Sequence, residues 1–230
     1  MVPLTPTGHR SRPAQGPPPE DLDGFPRFTT RRACYRAHAV RPDEADLGCW
    51  WFASRPAAGP PGGRFDLAEP HGTCYLGLTA GAAARERVGR FLAVGLPVPR
   101  GLVDGAVVSR VRLPRPRGRY AELAHTDAAG YGVTAELSSG ADNYDVCVLW
   151  ADALHAHGFD GVHYTARFSP GGDETALAVF DEQGARPEYG VLDHRPLGDV
   201  LAGLGYRLDR STLPSSTQIP IEDDVEPEPT

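Results

Sequence analysis

The sequence predicts an α+β fold in which helices flank a mixed, split β-sheet. Six short runs rich in branched and aromatic residues are bounded by polar, Gly or Pro residues, which is typical of strands. These runs are 33–40, 73–78, 107–113, 120–124, 161–166 and 176–180. Two longer segments instead repeat their apolar residues at helical spacing. Strands and helices do not alternate strictly along the chain, which disfavours a wholly parallel sheet.

The two clearest helices are predicted over 80–93 and 144–157. Thr79 precedes the first and can cap it, because its hydroxyl can accept a hydrogen bond from an otherwise unpaired backbone N–H. Gly158 follows the second and can end it in the left-handed conformation. A last helix is predicted at Pro196, whose fixed φ suits a first turn.

Composition divides the chain into one domain and two tails. Residues 1–26 contain seven prolines and no apolar periodicity, so we expect a disordered tail there. Residues 210–230 end in acidic residues at 222–228 with no base among them, which predicts a disordered, solvated acidic tail. The catalytic domain is therefore expected at 27–209, which is long enough for one hydrophobic core.

The overall composition excludes several classes of protein. The net charge of -7 argues against general nucleic-acid binding, and the arginine-rich run at 110–119 is more typical of a solvated edge strand. No apolar run approaches the ~20 residues of a membrane span, and the N-terminus lacks a signal-peptide pattern. The four cysteines never form a CxxC pair, which predicts buried, reduced thiols and no metal site. We therefore expect a cytoplasmic protein.

The residues alone leave two interpretations of each candidate site residue. No nucleotide-binding glycine motif, HExxH or GxSxG is present. Arg36 lies within a predicted strand and needs either a bound anion or a structural ion pair. Arg64 lies on a Gly-rich loop and could bind a ligand or belong to the ordinary surface. Glu86 faces away from the apolar stripe of its helix and could be solvated beside Arg90, while Tyr75 is by default a core aromatic.

Six segments in consistent order resemble the RES family, which is named for an arginine, a glutamate and a serine. They read YRAH, GGRFDLAEPHGTCYLGL, AAARERVG, YGVTAELSS, WADALHAHGFDGVHYTARFSPGG and ALAVF, and the match covers about 34–181. The resemblance implies a fold related to ADP-ribosyltransferases and an enzyme that cleaves the nicotinamide–ribose bond of NAD. Family members do so by hydrolysis or phosphorolysis, often as toxins paired with a small DNA-binding antitoxin.

The resemblance also implies roles for particular residues. The family arginine, loop arginine, strand tyrosine and glutamate fall on Arg36, Arg64, Tyr75 and Glu86. Two departures stand out. Phe65 and Asp66 replace the Trp and Asn that usually follow the loop arginine, and Ala166 occupies the apparent serine position. The remaining candidates for substrate binding are Tyr164, Thr165 and Ser169, of which the last two offer an alternative hydroxyl.

The implied chemistry needs no cofactor or metal beyond NAD as the substrate. The transition state resembles an oxocarbenium ion, which Glu86 would stabilise while it orients water or phosphate. Arg36 and Arg64 would bind the pyrophosphate, and Tyr75 would cover the nicotinamide ring. Two alternatives remain: an ADP-ribosyltransferase with a macromolecular acceptor, and a catalytically weakened NAD-binding interaction module.

Overall fold

The computed structural model describes residues 15–30, 32–44, 46–58, 62–139, 144–169 and 174–208. The strands are β1 (Arg27–Phe28), β2 (Cys34–Ala39), β3 (Trp51–Phe52), β4 (His71–Gly77), β5 (Ala106–Val111), β6 (Tyr120–Glu122), β7 (Gly161–Thr165), β8 (Thr175–Glu182), β9 (Gly184–Ala185) and β10 (Asp193–Pro196). The α-helices are α1 (Ala80–Ala93), α2 (Arg100–Val103), α3 (Ala135–Ser139), α4 (Tyr144–Ala156) and α5 (Leu197–Gly203). Short 3-10 helices cover Thr126–Tyr131 and Pro187–Tyr189.

Eight of these strands form one mixed sheet, which confirms the predicted α+β fold with flanking helices. The strand order is β1-β6-β7-β8-β4-β2-β5-β10, while β3 and β9 pair separately. β6 and β7 are parallel, and the other neighbours in the large sheet are antiparallel. The expectation of an edge strand in the arginine-rich run is wrong for β5, because β2 and β10 pair with its two sides.

The large sheet opens between β2 and β4. These two strands share a single register pair, Tyr35 with Gly77, whereas β4 and β8 pair continuously from His71–Glu182 to Gly77–Ala176. Helix α1 packs on both β2 and β4, so it covers the opening. The split that the sequence predicts therefore lies under one helix, where backbone and side chains can surround a ligand.

Helix α1 has the predicted bounds and the predicted cap. The Thr79 hydroxyl accepts a hydrogen bond from Ala82 N at 2.9 Å. Val88 is buried against the sheet and α5 side chains. Gly77 at the end of β4 lets the helix start close to the strand, since a Cβ there would lie 2.5 Å from Ala83 N. Sequence and close backbone packing together fix where α1 begins.

The N-terminal prediction needs correction for residues 15–26. Leu22 and Phe25 are at most 1% exposed and belong to the same core cluster as Trp150 of α4. Trp150 Nε1 donates to Gly16 O at 2.9 Å, and Gln15 Nε2 donates to Gly132 O at 2.9 Å. Prolines keep this segment irregular, so its two anchoring side chains produce no helical or strand periodicity. Residues 1–14 of the predicted N-terminal tail and the whole predicted C-terminal tail at 210–230 lie outside the described residues.

The face of the sheet opposite α1 carries a second buried cluster. Alternate residues of β4 separate the faces: Cys74 and Leu76 belong to this cluster, whereas Tyr75 packs against the core that contains α4. The Gly- and Pro-rich composition of 50–64 predicts a loop, which is wrong at its start because β3 pairs with β9 there. All four cysteines are free and buried, as predicted. Burial raises the pKa of Cys34 and of Cys49 to about 12, so both thiols stay protonated.

A turn on this opposite face buries the carboxylate of Asp46. Asp46 is 5% exposed, and its two oxygens accept from Gly48 N at 3.0 Å and Trp50 N at 2.9 Å. Trp50 is itself buried, and its Nε1 donates to Gly190 O at 2.7 Å. Both carboxylate oxygens thus have backbone donors inside the protein, and the turn holds the cluster together.

Candidate active site

A cavity of about 740 Å³ lies where the sheet opens beneath α1. Five of the seven predicted site residues line it: Arg36, Arg64, Tyr75, Glu86 and Tyr164. Thr165 and Ser169 are not among the lining residues. The lining also includes Asp66, Arg87, Arg90, Tyr144, Arg167 and Phe168. With five arginines against two acidic residues, the cavity is suited to an anionic ligand.

Glu86 is partly buried in this cavity, so of its two interpretations the solvated residue beside Arg90 is wrong. The chain that follows β7 lies across the polar side of α1, and the Glu86 carboxylate accepts hydrogen bonds from the backbone of Arg167 and Phe168. Gly89 permits this approach, because a Cβ there would lie 2.1 Å from atoms of the Phe168 ring. A helical wheel of α1 alone contains no information about this covering segment.

The Glu86 carboxylate remains chemically available. Its Oε1 is buried and has no hydrogen-bond partner among the described residues. Burial raises the pKa of Glu86, while the Arg64 guanidinium and the two backbone donors oppose that rise. The result is a carboxylate with one free oxygen in a site that is partly shielded from water.

Arg64 is buried, with 5% of its surface exposed, rather than part of the ordinary surface. Its guanidinium carbon lies 4.6 Å from the centroid of the Tyr164 ring, in a cation–π arrangement. Both terminal nitrogens are buried and have no hydrogen-bond partner among the described residues. A buried guanidinium in this state favours binding of an anion or a polar ligand oxygen.

The Gly-rich loop that carries Arg64 is fixed by Tyr75. The Tyr75 hydroxyl donates to Asp66 Oδ1 at 2.7 Å and accepts from Phe65 N at 2.9 Å. Asp66 Oδ2 also accepts from Gly63 N at 2.6 Å. A Cβ on Gly63 would lie 2.4 Å from the Tyr75 hydroxyl, so only glycine fits here. Asp66 therefore supplies the acceptor oxygens needed where the family pattern has Asn.

Phe65 replaces the aromatic residue of the family pattern without exposing the loop. It is fully buried, and its ring centroid lies 5.2 Å from that of Tyr164 in a tilted arrangement. Burial raises the pKa of Tyr164 well above its ordinary value, and the nearby Glu86 carboxylate raises it further. Tyr164 is therefore neutral in the folded protein and presents a ring face to Arg64.

Arg36 connects the cavity to the opposite face of the sheet. Its Nη1 donates to Cys49 O, in the turn that buries Asp46. Burial lowers the pKa of Arg87, and the charge of the nearby Arg36 lowers it further. Arg87 Nε is buried without a hydrogen-bond partner among the described residues. Two neighbouring guanidinium groups in one cavity favour a bound anion that relieves their repulsion.

The sequence reasoning missed several lining residues, namely Arg87, Arg90, Tyr144 and Arg167. Arg87 and Arg90 are three positions apart and share a helix face, which was a usable signal. Arg167 lies inside one of the segments that carry the resemblance, and Tyr144 lies between two of them. Both residues are far from Glu86 along the chain, so no local sequence pattern indicates that they lie close to it in space.

Neither of the residues predicted to replace the hydroxyl of the family serine lines the first cavity. Ala166 is 1% exposed and belongs to the core cluster around α4. Thr165 ends β7 without lining the cavity, and Ser169 lines a neighbouring one. Among the described lining residues, side-chain hydroxyls come from Tyr75, Tyr144 and Tyr164.

Two further properties concern the described residues as a whole. They contain no group of three or more His, Cys, Asp or Glu side chains arranged to hold a metal ion. Within the same ranges, no helix combines the length and apolar character that a membrane crossing requires.

The fold and cavity together define a class: an α+β domain with an opened mixed sheet and a cationic cavity that holds a buried carboxylate. The model of the RES domain matches residues 32–197, and the chain belongs to this family. A chain in the crystal structure of the M. tuberculosis MbcT-MbcA toxin-antitoxin complex shares its fold, with a TM-score of 0.55 and 15% sequence identity. That similarity covers 80% of this chain and 93% of that one. Comparison with curated proteins gave no match.

Proposed function

We propose that this protein is an enzyme that cleaves the nicotinamide–ribose bond of NAD. The observation that supports it most directly is the pairing of two buried groups in one cavity. Glu86 presents an unpartnered carboxylate oxygen there, and Arg64 presents two unpartnered guanidinium nitrogens. NAD carries both complementary features, since its pyrophosphate is anionic and its nicotinamide–ribose bond develops positive charge as it breaks.

Substrate binding would rest on the arginines. Arg36 and Arg87 line the same cavity, and a pyrophosphate between them would offset both the burial and the like charge of Arg36 that lower the pKa of Arg87. Arg64 is stacked on Tyr164 and close enough to Glu86 to be the main influence that lowers its pKa. We therefore assign Arg64 to the ribose end of the site, where it opposes the rise in the Glu86 pKa and can donate to a ribose oxygen.

The bond-breaking step follows from these positions. The electron pair of the C1′–N bond passes to the nicotinamide ring nitrogen, and neutral nicotinamide leaves. The remaining oxocarbenium ion is stabilised by the Glu86 carboxylate, whose field is strong in a partly shielded site. Water or phosphate then adds to C1′, and water releases a proton as it does so. Tyr75 keeps its hydroxyl in the hydrogen bond with Asp66 and presents its ring to the substrate.

One assay tests the proposal and separates the acceptors. The purified chain is incubated with NAD, with and without inorganic phosphate, and the products are separated by chromatography. Free nicotinamide with ADP-ribose indicates hydrolysis, and nicotinamide with ADP-ribose 1″-phosphate indicates phosphorolysis. Label retained on a macromolecule indicates an ADP-ribosyltransferase instead. Intact NAD overturns the proposal in favour of an NAD-binding interaction module, which the buried Ala166 at the family serine position favours.

We also propose that a protein partner restrains this activity. The support is the fold shared with a chain of a toxin-antitoxin complex, together with the resemblance to a family that contains toxins. The expected result of expressing the chain in a bacterial host is arrested growth and a fall in cellular NAD. Expression of the Glu86→Gln variant at equal level should permit growth. Growth arrest by both variants would contradict a toxic role based on NAD loss.

A further inference from the structure

A second cavity of about 740 Å³ adjoins the first. Ala93, Arg167 and Phe168 line both cavities, so these residues form the boundary between them. The remaining lining residues are Leu92, Gly95, Leu96, Pro97, Val98, Ser169, Tyr206 and Arg207. Arg167 is exposed, while Phe168 is half-buried at the boundary.

Helix α1 leads from one cavity into the other. Glu86 and Arg87 share one turn, Arg90 and Ala93 follow on later turns, and all four line the first cavity, while Ala93 also lines the second. The rise from Glu86 to Ala93 is about 10 Å at the helical rise per residue. An extended dinucleotide with one end at the Glu86 carboxylate can therefore pass Arg90 and place its other half in the second cavity.

Two aromatic side chains in the second cavity are held in fixed positions. Tyr206 OH accepts a hydrogen bond from Arg85 Nε at 2.8 Å, and Arg85 also pairs with Glu174. The Phe168 ring lies directly on α1 at Gly89. Rigid, partly exposed rings offer a flat ligand a stacking surface at a low cost in conformational entropy.

The remaining lining residues indicate the chemistry of that ligand. Leu96 is 57% exposed, and Pro97 beside it adds apolar surface. Arg167 and Arg207 supply positive charge, and no acidic residue is among the described lining residues. Apolar and aromatic surface together with guanidinium groups suits a nucleobase that carries a phosphate.

We propose that the second cavity binds the adenosine monophosphate half of NAD, while the first holds the nicotinamide mononucleotide half. This inference rests on the proposed function and adds the subsite that distinguishes a dinucleotide from a mononucleotide. Phe168 connects the two halves, since its backbone donates to Glu86 and its ring lies at the boundary of the second cavity. The chain is thereby predicted to prefer NAD to nicotinamide mononucleotide, which contains the same scissile bond.

The test compares these two substrates in the Leu96→Asp variant of the full chain. A carboxylate in the second cavity repels the adenosine phosphate and disrupts the apolar surface. We expect KM for NAD to rise at least ~10-fold, a factor that corresponds to the loss of one favourable contact. Kinetics with nicotinamide mononucleotide should stay at the wild-type level. Val94→Asp is the matched control, because Val94 is 66% exposed, lies two positions away and lines neither cavity.

Binding of adenosine monophosphate, measured by calorimetry, gives a second readout that needs no turnover. The wild type and Val94→Asp should bind it, and Leu96→Asp should bind it at least ~10-fold more weakly. Equal effects of Leu96→Asp on both substrates, or no effect on either, overturn the subsite assignment even where NAD is cleaved. Absence of adenosine monophosphate binding overturns it as well. Failure to cleave either substrate instead contradicts the proposed function, and the calorimetric result still decides the subsite.

Discussion

Asp46 is a buried and Glu86 a partly buried acidic residue, and the two differ in how the protein satisfies their carboxylates. Asp46 lies in a turn on one face of the sheet, and both of its oxygens accept from backbone N–H groups. Glu86 lies on α1 over the other face, and its Oε1 has no partner among the described residues. A fully satisfied buried carboxylate stabilises the fold, whereas an unsatisfied one costs stability and is explained by a ligand. Arg36 joins the two regions, because it lines the cavity and donates to Cys49 O beside Asp46.

The largest expected effect is on turnover, and it tests whether Glu86 serves catalysis rather than the stability of the fold. Glu86→Gln should lower turnover of NAD at least ~100-fold, because it removes the charge that stabilises the oxocarbenium ion. Affinity for NAD should change little, since the phosphates contact other residues. Nicotinamide release and calorimetric binding measure the two quantities. Turnover equal to that of the wild type would remove Glu86 from the mechanism.

The same substitution should raise the melting temperature by a few degrees at neutral pH. Folding raises the pKa of Glu86, so the protonated carboxyl is favoured in the folded state and its contribution to stability is lost as the pH rises through that pKa. The neutral amide avoids this loss. The gain should disappear at pH 4 and below, where the wild-type residue is protonated in both states, and an unchanged gain there would contradict the explanation.

The second effect concerns Asp46. Asp46→Ala leaves the backbone N–H groups of Gly48 and Trp50 without acceptors inside a buried cluster. The expected loss is about 2 kcal/mol of unfolding free energy, the cost of unsatisfied buried donors. Urea unfolding measures it, and Asp43→Ala is the matched control because Asp43 is exposed on the same segment. Equal stability of the two variants would show that the turn contributes nothing.

Arg36 should show a mixed effect because it serves both regions. Arg36→Ala should weaken NAD binding about tenfold through loss of a contact with the charged pyrophosphate. It should also destabilise the fold by roughly 1 kcal/mol, since Cys49 O loses its donor. Arg112→Ala removes the same charge at an exposed site and should change neither quantity. A stability loss with unchanged NAD affinity would assign Arg36 to the fold alone.

The smallest expected effect is a shift in pH dependence at Arg64. Activity needs ionised Glu86, so kcat should fall as the pH drops through the Glu86 pKa. Arg64 is the largest influence that lowers this pKa, so Arg64→Gln should move the acid limb of the kcat profile to higher pH. A profile that keeps its acid limb while kcat falls uniformly would indicate that Arg64 acts on the substrate alone.

Much of the fold followed from local patterns in the sequence. The Thr79 cap and the apolar stripe fixed α1, and Gly158 with φ of +75° ends α4 as predicted. Strand β10 was missed because its four residues are all exposed and show no apolar alternation. Residues 15–26 were missed for a related reason, since Leu22 and Phe25 anchor an irregular segment that has no period.

The site was predictable only in part, because a helical wheel describes one element at a time. The wheel placed Glu86 in solvent, and only the family resemblance identified it as a site residue. The backbone of Arg167 and Phe168 that covers it comes from about 80 positions later in the chain. Arg87 was overlooked because its significance depends on its proximity to Arg36, which lies on a different element.

The docking of the N-terminal segment has a consequence for how the chain folds during synthesis. Gly16 and Trp150 are 134 positions apart, and Gln15 contacts Thr134 across 119 positions. Residues 15–26 leave the ribosome long before α4, so the surface on which they pack does not exist until α4 has emerged. At about 5–20 residues per second this wait lasts from several seconds to about half a minute. Until then Leu22 and Phe25 have no core to enter, and this interval is when the nascent protein is most exposed to chaperones and proteases.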